Sequence, residues 1–247
     1  VAAMSSIDIN IANKTFNADG RQHCAIADLQ LKIELNQFVC LVGPSGCGKT
    51  TLLNIIAGLD SQFQGQITLT EQARQPQIGY VFQNPRLLPW HTVRENIELV
   101  FEQTPPAQLI DSLLAEMQLA DVQAVYPQRL SLGMQRRVSI IRAFAINPDI
   151  LLMDEPFVSL DAPTARQIRN SLQNLWLQRP HTVLFVTHDL REAIALADRL
   201  VFLSASPMQV VGDIAVTIDR QQRNDAEQIE QFRQHLLQHF PAINSLL

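Results

Sequence analysis

A chain of 247 residues with a formal net charge of −5 is long enough for one large domain, or for a core with a subdomain. Its 19 Lys and Arg residues form no stripe or cluster, which argues against nucleic acid as a partner and against a polybasic membrane anchor. No apolar run approaches the roughly 20 residues needed to cross a bilayer, and the N-terminus shows no basic-then-apolar export signal. Cys24, Cys40 and Cys47 are odd in number and lack C-x-x-C spacing, so the expected setting is a reducing cytoplasm with free thiols and no cysteine-bound metal.

Apolar and polar residues alternate over 7–11 and again over 29–35. Period-two alternation predicts half-buried strands, antiparallel, with a turn around Ala18-Asp19-Gly20. Phe16, just before that turn, is either a core aromatic or a ring that stacks on a nucleotide base.

The run Val39-Cys40-Leu41-Val42 leads into Gly43-Pro44-Ser45-Gly46-Cys47-Gly48-Lys49-Thr50-Thr51. This is G-x-x-x-x-G-K-[ST] after a predicted strand and before a predicted helix from Thr50 to about Ala57, which Gly58 ends. Glycines let backbone N–H groups turn inward as a nest for phosphate oxygens, and the helix N-terminus adds positive potential. Lys49 is placed to reach the β- and γ-phosphates and the Thr50 hydroxyl to ligate Mg²⁺. The reading is nucleotide binding, against the alternative of a flexible glycine turn with a surface lysine. Cys47, inside the loop, is either a reactive thiol that bound nucleotide covers or an inert small side chain that fills space.

Beyond the loop, 65–69 reads as a short strand and 78–83 as another that ends in Gln83. The apolar, proline-bracketed segment Arg86-Leu87-Leu88-Pro89-Trp90 is expected to pack inward or meet a partner. Residues 92–147 read as mostly helical, broken at Pro105-Pro106 and Pro127, with Ile110, Leu113, Leu114 and Met117 on one helix face. Ser131 is the expected N-cap of a helix whose stripe is Met134, Val138, Ile141 and Ala145, stopped by Asn147-Pro148.

Ile150-Leu151-Leu152-Met153 has the continuous apolar character of a central parallel strand. It ends in Asp154-Glu155, two carboxylates where open α/β sheets bind ligands; the plainer reading is a solvated acidic turn. Pro163 suits the first turn of a helix with Ile168, Leu172, Leu175 and Trp176. Val183-Leu184-Phe185-Val186 repeats the buried-strand pattern and ends in Thr187-His188-Asp189, so His188 reads as functional rather than structural. Asp189 and Glu192 suit a helix start. Residues 199–203 and 209–218 are predicted strands of a hairpin around Ser206-Pro207, and 225–240 an amphipathic helix.

Taken in order, these motifs resemble the ATP-binding subunit of ABC transporters over nearly the whole chain. Residues 43–50 are similar to Walker A, and residues 150–154 followed by Glu155 to Walker B with its catalytic glutamate. Gln83 falls at the Q-loop, Ser159-Leu160-Asp161 at the D-loop, His188 at the switch histidine and Phe16 at the aromatic A-loop position. Leu130-Ser131-Leu132-Gly133-Met134-Gln135 lies at the Leu-Ser-Gly-Gly-Gln signature but departs from it, with Leu132 for the first glycine and Met134 for the glutamine. That variant, with Leu87-Leu88-Pro89-Trp90 and Asp154-Glu155-Pro156-Phe157, resembles the nitrate, sulfonate and taurine importer group.

The resemblance implies an α/β P-loop NTPase (RecA-like) core with an antiparallel β subdomain and a helical signature subdomain. Residues 1–247 would form one ABC ATPase domain, with 1–85 and 148–247 as core and β subdomain and 86–147 as helical subdomain. It implies ATP binding by Phe16, Gly43, Pro44, Ser45, Gly46, Cys47, Gly48, Lys49, Thr50 and Thr51. Ser131, Gly133 and Asp161 would act on nucleotide across a dimer. Mg²⁺ would be held by Thr50, Gln83 and Asp154, and Glu155, His188 and Gln83 would carry hydrolysis. The implied partners are a second copy or paired nucleotide-binding subunit, transmembrane permease subunits and, in the complete system, a soluble substrate-binding protein. The implied place is peripheral, on the cytoplasmic face of the inner (plasma) membrane. A soluble ABC-class ATPase uncoupled from transport is the alternative; the stretch between Lys49 and Ser131 is short and shows none of the sustained heptads of such proteins.

Overall fold

The computed structural model describes residues 6–18, 21–70 and 76–244. In chain order these residues form β1 (Ser6–Ala18), β2 (Arg21–Glu34), β3 (Phe38–Val42), α1 (Lys49–Ile56), β4 (Gln64–Thr70), β5 (Ile78–Val81), α2 (Val93–Glu98), α3 (Ala107–Glu116), α4 (Leu132–Ala145), β6 (Ile150–Asp154), α5 (Ala162–Gln178), β7 (Thr182–Thr187), α6 (Leu190–Leu196), β8 (Arg199–Leu203), β9 (Val210–Ala215), α7 (Ala226–His239) and α8 (Pro241–Asn244). The chain divides into two units, one of residues 1–75 and 182–247 and the other of residues 76–181.

In the first unit β1 pairs antiparallel with both β2 and β4. Ile7, Ile9 and Ile11 stand opposite Ile33, Leu31 and Leu29, and all six are buried, which is the predicted alternation expressed as one apolar sheet face. Both strands run well beyond the expected 7–11 and 29–35, because the ladder continues past the alternating stretch through Phe16 and His23. Asp19 and Gly20 of the expected turn lie outside the described residues. A bulge between Lys14 and Thr15 re-aims the strand just before Phe16.

The same unit carries β3 parallel to β7 and β8, with β9 antiparallel to β8. Every residue of β3 and β7 is buried, as continuous Val, Leu, Phe and Cys runs require when both sheet faces are covered. Burial pushes the Cys40 thiol well up, with the Glu192 carboxylate adding to it and Lys49 and a Thr187 hydrogen bond opposing it, so this cysteine stays a neutral core residue. Helix α7 ends one residue inside the expected 225–240 at each side, and Asp225 caps it by accepting from the Glu227 N–H at 2.9 Å.

One ion pair ties β1 to the chain beyond α1. The buried Lys14 ammonium lies 2.7 Å from Asp60 Oδ2 and donates to the Gln62 carbonyl at 2.8 Å. The Lys14 hydrogen bond holds the Asp60 carboxyl below the usual carboxylate range, against a smaller opposing effect of burial. A depressed folded-state value means the pair stabilises above the ordinary carboxylate range and is lost as pH falls through the folded value. Asp60→Asn removes the charge facing Lys14 but leaves it the Gln62 carbonyl, and with the carboxylate partly solvated should cost on the order of 1 kcal/mol at pH 7. Thermal unfolding from pH 7 down to about 3 should show the gap between wild type and variant closing in acid; a gap independent of pH would place the stabilisation elsewhere.

In the second unit β5 and β6 are parallel, Ile78 to Val81 aligned with Ile150 to Met153, and β6 is buried along its length. The region 92–147 is less continuously helical than expected. It holds α2, α3 and α4 separated by loops and 3₁₀ turns at 120–122 and 127–129. The expected prolines act as predicted: Pro106 precedes α3, and Pro127 starts a 3₁₀ turn instead of continuing a helix. Helix α2 is held by a full capping box, Thr92 with Glu95.

Candidate functional site

In the first unit, β3 delivers the chain to Gly43, which is buried against Leu203. A Cβ there would sit 2.9 Å from the Leu203 carbonyl oxygen, so the loop passes this point only as backbone. At the other end Gly48 takes φ 111° and ψ 9° as the N-cap of α1, a left-handed conformation that a side chain would strain. Between them the Cys47 N–H donates to the Pro44 carbonyl at 3.3 Å. The turned loop and the first turn of α1, which carries no acidic residue, leave the positive helix end for an anion. The Lys49 ammonium is buried and donates to the Gly43 and Pro44 carbonyls at 2.7 and 2.8 Å. Thr50 is exposed at the start of the helix. The expected helix 50–57 is thus found one residue earlier, with Ala57 as C-cap and Gly58 at φ 71°.

Cys47 is 2% exposed, with its sulfur 3.9 Å from Lys49 Nζ. Of the two sequence readings the structure favours the space-filling one, because a thiol inside the packed loop is closed to bulky reagents. Alkylation with peptide mapping should therefore label the half-buried Cys24 first and leave Cys47 and Cys40 slow, with or without ATP. Rapid, ATP-sensitive labelling of Cys47 would contradict this.

Phe16 is 41% exposed, and Lys14 Nζ lies 4.6 Å from its ring centroid, so it is not a core aromatic. His188 follows β7 and is exposed. The turn that presents it is built by its neighbours. The Asp189 N–H donates to Thr187 Oγ1 at 3.1 Å, and that hydroxyl donates to Glu192 Oε2 at 2.9 Å. Asp189 in turn caps α6 through the Arg191 N–H at 2.8 Å.

In the second unit β6 ends in Asp154, buried at 4% exposure. Glu155 follows with φ 44°, a left-handed backbone that a non-glycine residue adopts only when its surroundings enforce it. The chain then turns tightly, with Val158 N–H to the Glu155 carbonyl and Leu160 N–H to the Phe157 carbonyl, both at 3.2 Å. Ser159 shares the left-handed conformation at φ 64°. Gln83 lies two residues past the end of β5 rather than at its end, because pairing stops at Val81. Its carboxamide Nε2 donates to Glu155 Oε2 at 3.2 Å, so two sequence-predicted site residues meet directly. The strand leading there is braced by Tyr80 stacked on Phe82, and by the Arg86 guanidinium over Phe82 at 3.9 Å. Burial and then the Asp154 charge push the Tyr80 phenol up, beyond what Arg86 offsets, so it stays protonated beside that carboxylate.

The signature segment caps a helix. Ser131 Oγ accepts the Met134 N–H at 3.2 Å, which leaves its O–H free in direction to donate elsewhere. Gly133 is buried, and a Cβ on it would meet Thr164 Cγ2 at 2.7 Å, so this glycine is fixed by packing against α5. Leu132 is partly exposed beside it. Asp161 serves α5, its carboxylate accepting the Thr164 N–H at 3.0 Å, and that bond holds it below the usual carboxylate range.

Three residues that sequence reasoning did not single out organise this unit. Asn96 is fully buried and pins the loop before α2: its Oδ1 accepts the Leu88 N–H at 2.7 Å, and its Nδ2 donates to the carbonyls of Leu88, His91 and Thr92. Leu87 and Leu88 are less exposed than Trp90, with Leu88 half-buried and Trp90 68% exposed. Arg136 and Arg142 of α4 donate to backbone carbonyls around Gln83, Arg136 to Phe82 and Gln83, and Arg142 to Pro85 and Arg86. Nothing in the local sequence marks them, since α4 mixes arginines with apolar residues as amphipathic helices commonly do.

A glycine-lined phosphate loop after a buried parallel strand, and an Asp-Glu pair at the end of a second such strand, are the features of a phosphate-loop nucleotide-binding protein. The ABC transporter family model matches residues 26–158. The aliphatic sulfonates import ATP-binding protein SsuB of Bacillus subtilis (strain 168) is 35% identical, over 98% of this chain and 96% of that protein. The nitrate import ATP-binding protein NrtD of Synechococcus elongatus is 37% identical, over 89% and 84%. Among solved structures, the dimeric structure of MJ0796, a bacterial ABC transporter cassette, superposes with a TM-score of 0.74 at 29% identity, over 86% of this chain and all of that one. A post-hydrolysis dimer of the same cassette bound to ADP and Pi gives 0.73. The chain belongs to the ABC transporter family and is one of its ATP-binding, ATP-hydrolysing cassettes. Among the described residues no helix is long and apolar enough to cross a membrane.

Proposed function

We propose that this chain is the ATPase subunit of an importer, which two copies, or a copy and a paired subunit, power by closing on ATP at the cytoplasmic face of the inner membrane. The observation that carries this is the identity of 35–37% with sulfonate and nitrate import ATP-binding proteins along almost the whole chain. The solute is in that reading a small oxyanion-bearing compound such as an aliphatic sulfonate, taurine or nitrate, delivered by a soluble binding protein to permease subunits. The exposed Trp90 beside the Asn96-pinned loop is the surface offered to the permease. Residues 86–147 act as the helical subdomain, and 1–85 with 148–247 as core and β subdomain of one ATPase domain.

Each site residue then has a chemical role. Gly43 to Thr51 wrap the phosphates with backbone N–H groups, Lys49 turns from its loop carbonyls to the β- and γ-phosphates, and Phe16 stacks on the base. The donor set Thr50 hydroxyl, Gln83 carboxamide and Asp154 carboxylate is all hard oxygen, which suits Mg²⁺. Among the described residues no cluster of His, Cys, Asp and Glu competes for a softer metal. Mg²⁺ when bound neutralises charge on the phosphates. Glu155 orients and polarises the attacking water, with Gln83 against its carboxylate, and His188 steadies the γ-phosphate. Ser131, through its free O–H, and Gly133, through its N–H, meet the γ-phosphate bound by the second copy, and Asp161 lines the same junction. In phosphoryl transfer positioning and charge stabilisation supply nearly all of the acceleration, so these groups act together.

Co-expression of the chain with candidate permease subunits, followed by purification and reconstitution, tests the proposal. A stable complex whose ATP-driven uptake of an aliphatic sulfonate or nitrate depends on the binding protein is expected. ATPase activity in a chain that associates with no membrane subunit would favour the uncoupled alternative.

A further inference from the structure

Arg136 is buried at 3% exposure in the second turn of α4, five residues after Ser131. One guanidinium nitrogen donates to two successive backbone carbonyls, those of Phe82 and Gln83. Its Nε is buried with no hydrogen-bond partner among the described residues. A buried, incompletely satisfied cation is a poor stabilising device, since desolvation offsets most of what its bonds return. What it does achieve is to fix the carbonyl of the very residue whose carboxamide touches Glu155 at 3.2 Å. The links run from the signature residues Ser131 and Gly133, along the rigid first turns of α4, through Arg136 to the Gln83 backbone, and through the Gln83 side chain to Glu155. Arg142 anchors the following carbonyls of Pro85 and Arg86 at 2.9 and 3.0 Å, so the loop after β5 is seated on α4 on both sides of Asn84.

We infer that Arg136 is a positioning residue for hydrolysis: it holds Gln83 so that its carboxamide stays on Glu155, and makes the signature helix and the catalytic glutamate one mechanical piece. The inference rests on the proposed roles of Gln83 and Glu155. A group that fixes geometry without touching nucleotide should act on turnover more than on binding.

The test is a double-mutant cycle on the full chain, with steady-state ATPase measured for Arg136→Met, Arg136→Lys, Gln83→Ala and the Arg136→Met/Gln83→Ala pair, and thermal unfolding checked for each. Arg136→Met should lower kcat by about tenfold to a hundredfold with KM for ATP little changed. Arg136→Lys, which keeps one charged donor, should recover part of the loss. In the Gln83→Ala background Arg136→Met should add little, because the group it positions is gone. Normal kcat in a folded Arg136→Met protein, or an undiminished loss in the Gln83→Ala background, would overturn the inference while leaving the site reading intact. Normal turnover in Gln83→Ala would instead overturn the reading of Gln83, and the inference with it. Should Arg136→Met not fold, Arg136→Lys decides: reduced kcat at unchanged KM supports the positioning role, and wild-type kcat overturns it.

Discussion

Replacing Glu155 by glutamine should leave ATP binding intact and slow hydrolysis by two to four orders of magnitude, the usual contribution of a positioned general base. The substitution keeps the length of the side chain and an oxygen able to accept from Gln83 Nε2, so the contact seen at 3.2 Å survives. It also keeps a residue able to hold the left-handed backbone at φ 44°, so the turn leading to Asp161 is not disturbed. What is lost is the negative charge that polarises water. Steady-state ATPase assays together with equilibrium nucleotide binding separate the two effects. Near-normal turnover would remove Glu155 from the catalytic role.

Lys49→Ala should act at the other end of the reaction. The ammonium is buried and bonded to the Gly43 and Pro44 carbonyls, so in the free loop it is already positioned beside the phosphate nest at little further entropic cost. Removing it deletes charge-assisted hydrogen bonds of about 1.5–3 kcal/mol each, and ATP affinity should fall by about a hundredfold or more. The rise in melting temperature that ATP confers on the wild-type protein should disappear in this variant at the same nucleotide concentration. Unchanged affinity would mean that the loop carbonyls, and not phosphate, are the lasting partners of Lys49.

Features set by local chemistry could be read from the sequence. The phosphate loop was legible because strand, glycines, Lys49 and helix follow one another without interruption, and β3, β6 and β7 because four or more consecutive apolar residues admit few other structures. The caps at Ser131 and Asp189 were legible for the same reason, since a short polar side chain before an apolar stripe bonds N–H groups only two or three residues on. What escaped depends on residues far apart in the chain. Arg136 reaches back to Gln83 and Lys14 reaches forward to Asp60, and no periodicity encodes either. The run Ile78 to Phe82 extends the expected strand as far as Gln83, whereas parallel pairing with β6 stops at Val81. The pairing register belongs to two strands and is absent from either alone. Cys47 was ambiguous because its neighbours in sequence argue for reactivity, and only the packed loop shows that the thiol is enclosed.

The closing of two copies on ATP is tested most directly by the solution mass of Glu155→Gln protein, measured by light scattering with and without Mg²⁺ and ATP. The expected result is the 27.8 kDa chain without nucleotide and a species of twice that mass once ATP saturates it. A protein that binds ATP fully and remains at the single-chain mass would contradict it.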